Sequence, residues 1–166
     1  MPLPKIQVNP NRIELDEAYM QMAEVWARRS KANRRQVGAL IVKDGQVISD
    51  GYNGMPAGEP DDTCEAVWFD PEKVAADKEG TYLGELITKR EVLHAESNAI
   101  SKLASKGGVG SEGATLYVTL SPCFECAKLI KQAKIARVVF REQYRDASGI
   151  DFLLTRGVKV EKLEKK

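Results

Sequence analysis

A three-layer α/β/α sandwich around a mixed central sheet is the fold this sequence predicts. Apolar residues recur at helical spacing in some stretches. Short β-branched and apolar runs stand between those stretches. The resulting order is helix, hairpin, helix, strand, helix, strand, helix, strand. Such an order places helices on both faces of a sheet that pairs some strands antiparallel and others parallel.

The elements follow in turn. Residues 1–12 hold three prolines and two asparagines with little pattern, and read as an extended arm. From Ile13 to Ser30, Leu15, Ala18, Tyr19, Met22, Val25 and Trp26 mark a helix with one buried face. Trp26 and Trp68 read as packing residues. Gln36 to Lys43 is a β-rich run, Asp44-Gly45 is a type I′ turn signal, and Gln46 to Asp50 returns as the second strand of a hairpin. Gly51 to Gly58 then reads as a glycine-rich loop able to bring backbone close to a ligand.

Residues 59–93 read as an insertion, with Pro60-Asp61-Asp62 and Pro71-Glu72 punctuating short helical pieces. His94 to Ser105 is a helix with Ala99, Ile100, Leu103 and Ala104 on its apolar face. Thr115 to Leu120 is a buried strand. Pro122 opens a helix that runs to about Gln132, in the first-turn position where proline is favoured. Arg137 to Arg141 is a strand, Ile150 to Thr155 a helix stopped by Gly157, and Val158 to Leu163 a last strand. Glu161 to Lys166 forms a mixed-charge tail, expected to be solvated.

Composition bounds the function. With 166 residues, residues 13–166 make one domain, and a 43% apolar content suffices for a core. The formal net charge of +1 gives no global field for nucleic acid or an anionic membrane. No apolar run is long enough to span a bilayer, and the first residues lack a secretory signal's apolar stretch, so the expected location is cytoplasmic. Three cysteines in such a chain point to metal binding or catalysis rather than a disulfide framework.

Two short motifs carry the chemistry: His94-Ala95-Glu96, and Pro122-Cys123-Phe124-Glu125-Cys126. Cysteines three apart at a helix start face one side, and the positive end of the helix favours their thiolates. His94, the sole histidine, supplies a third donor. Three protein ligands with a fourth position left for water is the catalytic zinc arrangement, whereas closed structural sites have four ligands. Glu96, two residues past His94, is then placed to act as a general acid–base beside that water. Two plainer readings compete. A C-x-x-C can be a thioredoxin-like redox pair. A structural zinc would need a fourth ligand from Cys64 or a carboxylate. Glu125 reads as a solvent-facing residue.

The combined H-x-E … P-C-x-x-C pattern is an established signature of zinc-dependent nucleobase deaminases. The likeness reaches further, from about Glu17 to Leu163. It includes Arg29-Ser30-Lys31, Gln36-Val37-Gly38-Ala39, Gly51-Tyr52-Asn53-Gly54-Met55-Pro56, Ser97-Asn98-Ala99-Ile100, Leu116-Tyr117-Val118, Ala127-Lys128-Leu129-Ile130 and Tyr144-Arg145-Asp146. On these residues the chain resembles the deoxycytidylate (dCMP) deaminase branch of the cytidine deaminase superfamily.

That resemblance implies a cytidine deaminase-like fold and the reaction of dCMP with water to dUMP and ammonia, which feeds thymidylate synthesis. It implies one catalytic Zn2+ on His94, Cys123 and Cys126, with Glu96 as the proton carrier. It further implies that Asn53 bonds the deoxyribose hydroxyl, the Ala95 N–H the base carbonyl, the Ser121 carbonyl the exocyclic amine, and Arg34, Tyr144 and Arg145 the 5′-phosphate. Many relatives are hexamers regulated by dCTP and dTTP. Gly51, Tyr52, Gly54 and Met55 match the regulatory loop, with Mg2+ accompanying the effector. Some relatives carry a second zinc on an extra cysteine after Ser-Lys, but Ala32 and Asn33 stand there. Two alternatives remain: a deaminase of dCTP or 5-modified dCMP, and an inactive nucleotide-binding module. Editing of nucleic acid would need a positive channel that the charge balance does not favour.

Overall fold

The computed structural model of the chain describes residues 9–68 and 84–165. The elements run α1 Leu15–Ala27, β1 Gly38–Lys43, β2 Gln46–Tyr52, β3 Glu65–Trp68, β4 Glu85–Thr88, α2 Ala95–Lys106, β5 Thr115–Leu120, α3 Phe124–Gln132, β6 Arg137–Glu142, α4 Ser148–Leu154 and β7 Lys159–Lys162. Five strands form the main sheet in the order β2-β1-β5-β6-β7. β1 pairs antiparallel with β2 and β5, while β6 pairs parallel with β5 and β7. The predicted mixed sheet is therefore present.

Side chains alternate across that sheet, and each set meets a different helix layer. Ile41, Leu116, Val118 and Val138 pack with Ala99 of α2, Ile130 of α3 and Leu153 of α4. Leu40, Val42, Tyr117 and Val139 pack with Tyr19, Met20 and Ala23 of α1. Each fully buried aliphatic side chain contributes roughly 1.5–3 kcal/mol. The layers are thus α1, sheet, then α2, α3 and α4, as expected for a three-layer sandwich.

The hairpin turn has the expected form: Asp44 and Gly45 have φ of 50° and 74°, the left-handed pair of a type I′ turn. β2 runs two residues beyond the expected end, to Tyr52. Gly51 is therefore a strand residue and not part of a loop. Its requirement comes from packing. A Cβ there would fall 2.3 Å from Ala95 O and 2.7 Å from Ala99 N, so α2 lies directly on the strand backbone.

Further expectations need correction. On α1 the buried stripe is Tyr19, Met20, Ala23 and Ala27, while Leu15, Met22 and Val25 are exposed. The small Ala23 and Ala27 let the helix backbone settle against Gly38, and that contact decides which of two adjacent apolar stripes faces inward. Neither Trp26 nor Trp68 belongs to the core. Trp26 sits at the helix edge and its Nε1 donates to Asp50 Oδ1 at 2.6 Å, and Trp68 is exposed. In the 59–93 stretch, residues 65–68 and 85–88 are not helical pieces but the two strands of an antiparallel ribbon. Residues 69–83 of that stretch, and residues 1–8 of the N-terminal arm, lie outside the described residues. Residues 9–12 close a turn on Asn9, whose side chain accepts from Asn11 N at 3.0 Å. Finally, Pro122 precedes α3 by two positions, and Cys123 is its N-cap.

The C-terminal tail is not wholly solvated. Buried Arg141 donates to the carbonyls of Leu163 at 3.1 Å and Glu164 at 3.3 Å. It also pairs with Glu17 at 2.8 Å and Glu24 at 3.0 Å on α1. Two carboxylates and two carbonyls thus satisfy a charge that burial alone would make costly. Among the described residues no helix is long and apolar enough to cross a membrane.

Gly51→Ala forces α2 off β2, and urea denaturation should show a loss of about 1–3 kcal/mol from overpacking. Gly110 is the control, since a Cβ there would meet nothing within 4 Å. Gly110→Ala should change stability by less than about 0.5 kcal/mol.

Candidate active site

The sheet order brings the site together. The C-terminal ends of parallel β5 and β6 lie at one edge, where α/β sheets bind ligands. Because β1 is antiparallel to β5, its start lies at the same edge, and so does the end of β2. Residues 34, 35 and 37, Asn53, Ser121 and Tyr144-Arg145 meet there, with the first residues of α2 and the N-cap of α3 between them. They line one cavity of about 520 Å³.

His94 is the N-cap of α2 and Cys123 the N-cap of α3, with Cys126 in the first turn of α3. His94 Nδ1 stands 3.5 Å from Cys123 Sγ and 3.4 Å from Cys126 Sγ. The three donor atoms all lie within 4.8 Å of one another. Tetrahedral zinc, with bonds of about 2.3 Å to sulfur and about 2.0–2.1 Å to nitrogen, sets sulfur and nitrogen about 3.6 Å apart. The donor triangle fits that ion. Its soft thiolates and imidazole also suit zinc over magnesium or calcium. Among the described residues no other group of His, Cys, Asp and Glu brings three ligand atoms so close. Cys64 is buried elsewhere, and its thiol is pushed up by burial.

The electrostatics point the same way. Cys123 is pushed down to about 4 by its contacts with the Cys126 sulfur and then with His94. Cys126 is pushed well above the usual thiol range, chiefly by facing Cys123 and by burial. Two sulfurs and one imidazole thus crowd together, with Cys123 favouring the thiolate that a divalent cation would bind.

Glu96, two residues into α2, is 4% exposed. Burial pushes its carboxyl up to about 7. That value is the one a group needs in order both to take and to give protons near neutral pH.

Arg34, Asn53, Ala95, Ser121, Tyr144 and Arg145 all line the cavity with His94, Glu96 and Cys123. Arg145 stacks its guanidinium 5.7 Å from the Tyr144 ring centre. Ser121 N donates to Glu142 O at 2.8 Å, and Tyr144 N donates to Ser121 Oγ at 2.7 Å, which fixes the direction of the Ser121 carbonyl. Asn53 spends its carboxamide on the lead into β1: Nδ2 donates to Arg35 O at 2.8 Å and Oδ1 accepts from Val37 N at 2.8 Å. One N–H of Asn53 remains for a ligand. Gly51 and Tyr52 end β2, and Tyr52 O accepts from Asn98 Nδ2 at 3.0 Å. Gly54 pairs with Leu93, the residue before His94. Met55 follows it, so the 51–55 segment is bonded to the start of α2. Glu125 is exposed and pairs with Lys128 at 2.6 Å, as its position suggested.

Sequence reasoning missed Arg35, Glu65, Thr88 and Val92, which also line the cavity. Arg35 lay in a basic run whose members look alike. Glu65 and Thr88 belong to the β3–β4 ribbon, whose four-residue strands are too short to show a period.

Two sulfurs and an imidazole gathered at a sheet edge, with a buried acid beside them, define a zinc-dependent hydrolase. Residues 13–142 match the cytidine and deoxycytidylate deaminase zinc-binding region, and the chain belongs to that family. It is 36% identical over 173 residues to the deoxycytidylate deaminase of Enterobacteria phage T4, covering 89% of each chain. It is 39% identical over 137 residues to the Homo sapiens deoxycytidylate deaminase, covering 81% of this chain and 69% of the human one. Among solved structures, the dCMP deaminase of cyanophage S-TIM5 in complex with dCMP and dUMP superposes with a TM-score of 0.75. It is 37% identical, and the match covers 95% of this chain and all of that one.

Elemental analysis of the purified protein should find one zinc per chain. Cys126→Ser should lose it, and Cys64→Ser should keep it. Two tightly held equivalents would contradict the single-site reading.

Proposed function

We propose that the chain hydrolyses dCMP to dUMP and ammonia, and that His94, Cys123 and Cys126 hold its zinc. One observation carries this reading. The donor triangle and buried Glu96 open into the same cavity as Arg34, Tyr144 and Arg145. A reacting base at the metal end and a 5′-phosphate at the arginine end fit one nucleotide.

When bound, zinc acts as a Lewis acid that makes water a nucleophile near neutral pH. The chain's own groups do the rest. Water adds at C4 of the cytosine ring and the C4–N4 bond breaks. Glu96 accepts a proton from the water and delivers it to ring N3; it then takes the second proton from the hydroxyl now on C4 and delivers it to the departing amine, so that the C4 carbonyl forms as ammonia leaves. Its near-neutral proton affinity suits both directions of transfer. The Ala95 N–H, at the positive end of α2, donates to the base carbonyl. The Ser121 carbonyl accepts from the exocyclic amine and so favours the 4-amino ring. Asn53 donates its remaining N–H to the deoxyribose hydroxyl. Arg34 and Arg145 supply the fixed, charged donors that a phosphate requires, and Tyr144 adds a hydroxyl.

The same reading gives the 51–55 segment a regulatory role, with dCTP and dTTP as effectors, Mg2+ beside them, and a hexamer as the assembly. The Gly54–Leu93 pairing supports it, since an event at that segment reaches the neighbour of His94 in one step.

Glu96→Gln should retain its zinc while kcat falls by roughly 10² to 10⁴. Parallel metal analysis and ammonia release check this, and a zinc-loaded variant of normal rate would remove Glu96 from the reaction. In a panel of cytidine, deoxycytidine, CMP, dCMP, dCTP and 5-methyl-dCMP, dCMP should be preferred. Arg145→Ala should lower kcat/KM for dCMP by about 10- to 100-fold, the worth of a charged hydrogen bond.

A further inference from the structure

Glu65 is an acid on the wall of a cavity that must accept an anion. It is the first residue of β3 and is 8% exposed. Its carboxylate is turned to the backbone of the segment that carries Arg34. Oε1 accepts from Asn33 N at 2.9 Å and from Arg34 N at 3.2 Å, and Oε2 accepts from Asn33 Nδ2 at 3.2 Å. Beyond Arg34, the Asn53 carboxamide holds Arg35 O and Val37 N, at 2.8 Å each. The main chain is therefore gripped on both sides of Arg34.

The grip is anchored in turn. Glu65 pairs with Thr88 across the ribbon, and Lys89 N donates to Cys64 O at 2.9 Å. Lys31, three residues before Arg34, forms an ion pair with Asp62. The β3–β4 ribbon and the segment leading into it thus hold residues 31, 33 and 34, and the ribbon contributes Glu65 and Thr88 to the cavity wall.

We propose that Glu65 is a positioning residue for substrate recognition. By holding the Asn33 and Arg34 amides, it directs the Arg34 guanidinium to the 5′-phosphate of the nucleotide. The inference rests on the dCMP reading and on Arg34 as a phosphate contact. It gives the ribbon a purpose: an acid is tolerated beside a phosphate because backbone donors occupy it, and its charge orders the cation that the phosphate needs. Glu65 itself touches no reacting atom.

A double-mutant cycle on the zinc-loaded enzyme tests this, with kcat and KM for dCMP measured for wild type, Glu65→Gln, Arg34→Ala and the pair. Glutamine keeps the shape but loses the charge and one acceptor. Glu65→Gln should raise KM about 10-fold with kcat and zinc content within about twofold. In the Arg34→Ala background it should raise KM no further. A fall in kcat with unchanged KM, an unchanged KM, or an equal KM rise in both backgrounds would overturn the inference. If Arg34→Ala alone leaves KM unchanged, the phosphate role of Arg34 fails and takes this inference with it. If Arg34→Ala raises KM and Glu65→Gln does not, only the role of Glu65 fails. Should Glu65→Gln not fold, Asn33→Ala replaces it. That variant removes only the Nδ2 bond, and about a threefold rise in KM, absent when Arg34 is already alanine, is the supporting result. No rise, or the same rise without Arg34, is the overturning one.

Discussion

Two helix starts carry the candidate metal donors, and each is seated by a glycine pressed against its first peptide units. Gly51 of β2 lies under Ala95 and Ala99, so the first turn of α2, with His94 and Glu96, sits at a fixed height above the sheet. Gly149 of α4 does the same for α3. A Cβ there would fall 2.2 Å from Pro122 O and 2.8 Å from Cys123 O. Sulfur–nitrogen distances of 3.5 and 3.4 Å leave little tolerance. A methyl group at either glycine would move one donor set relative to the other by a large part of a bond length. The metal geometry is therefore a consequence of backbone-to-backbone packing well outside the coordination shell.

Charge in the cavity follows from that placement. Glu96 reaches its position because α2 is drawn onto the strands, and the burial that results raises its proton affinity. Cys126 is buried by the same close approach, while Cys123 and His94 stay nearer the opening. Arg34, Arg35 and Arg145 line the same cavity. Under the dCMP reading proposed above, the buried acid exchanges protons in a poorly solvated setting and the arginines hold the permanent anion.

The elements that carry the chemistry were legible because local signals and tertiary needs agree in them. Thr115 to Leu120 matches its strand at both ends, and the Asp44-Gly45 turn has the backbone its residues predict. The gathering of His94, Cys123 and Cys126 was legible because a short motif states both residue type and spacing. Other features depend on contacts with no local trace. The inward face of α1 is decided by Gly38 rather than by its own apolar count. Gly51 looked like loop flexibility and is packing. Glu65 has no motif, since its worth lies in three donors more than thirty positions earlier in the chain.

The β3–β4 ribbon has one more consequence. Trp68 and Glu85 face each other in register at its outer end, so the polypeptide departs and returns at one spot on the surface. Among the described residues, the ribbon's contribution to the cavity wall comes from Glu65 and Thr88, at the opposite end of its register. Closing a longer or shorter excursion there costs only about 0.6 kcal/mol per doubling of length. The length of chain between Trp68 and Glu85 can therefore vary at little entropic cost.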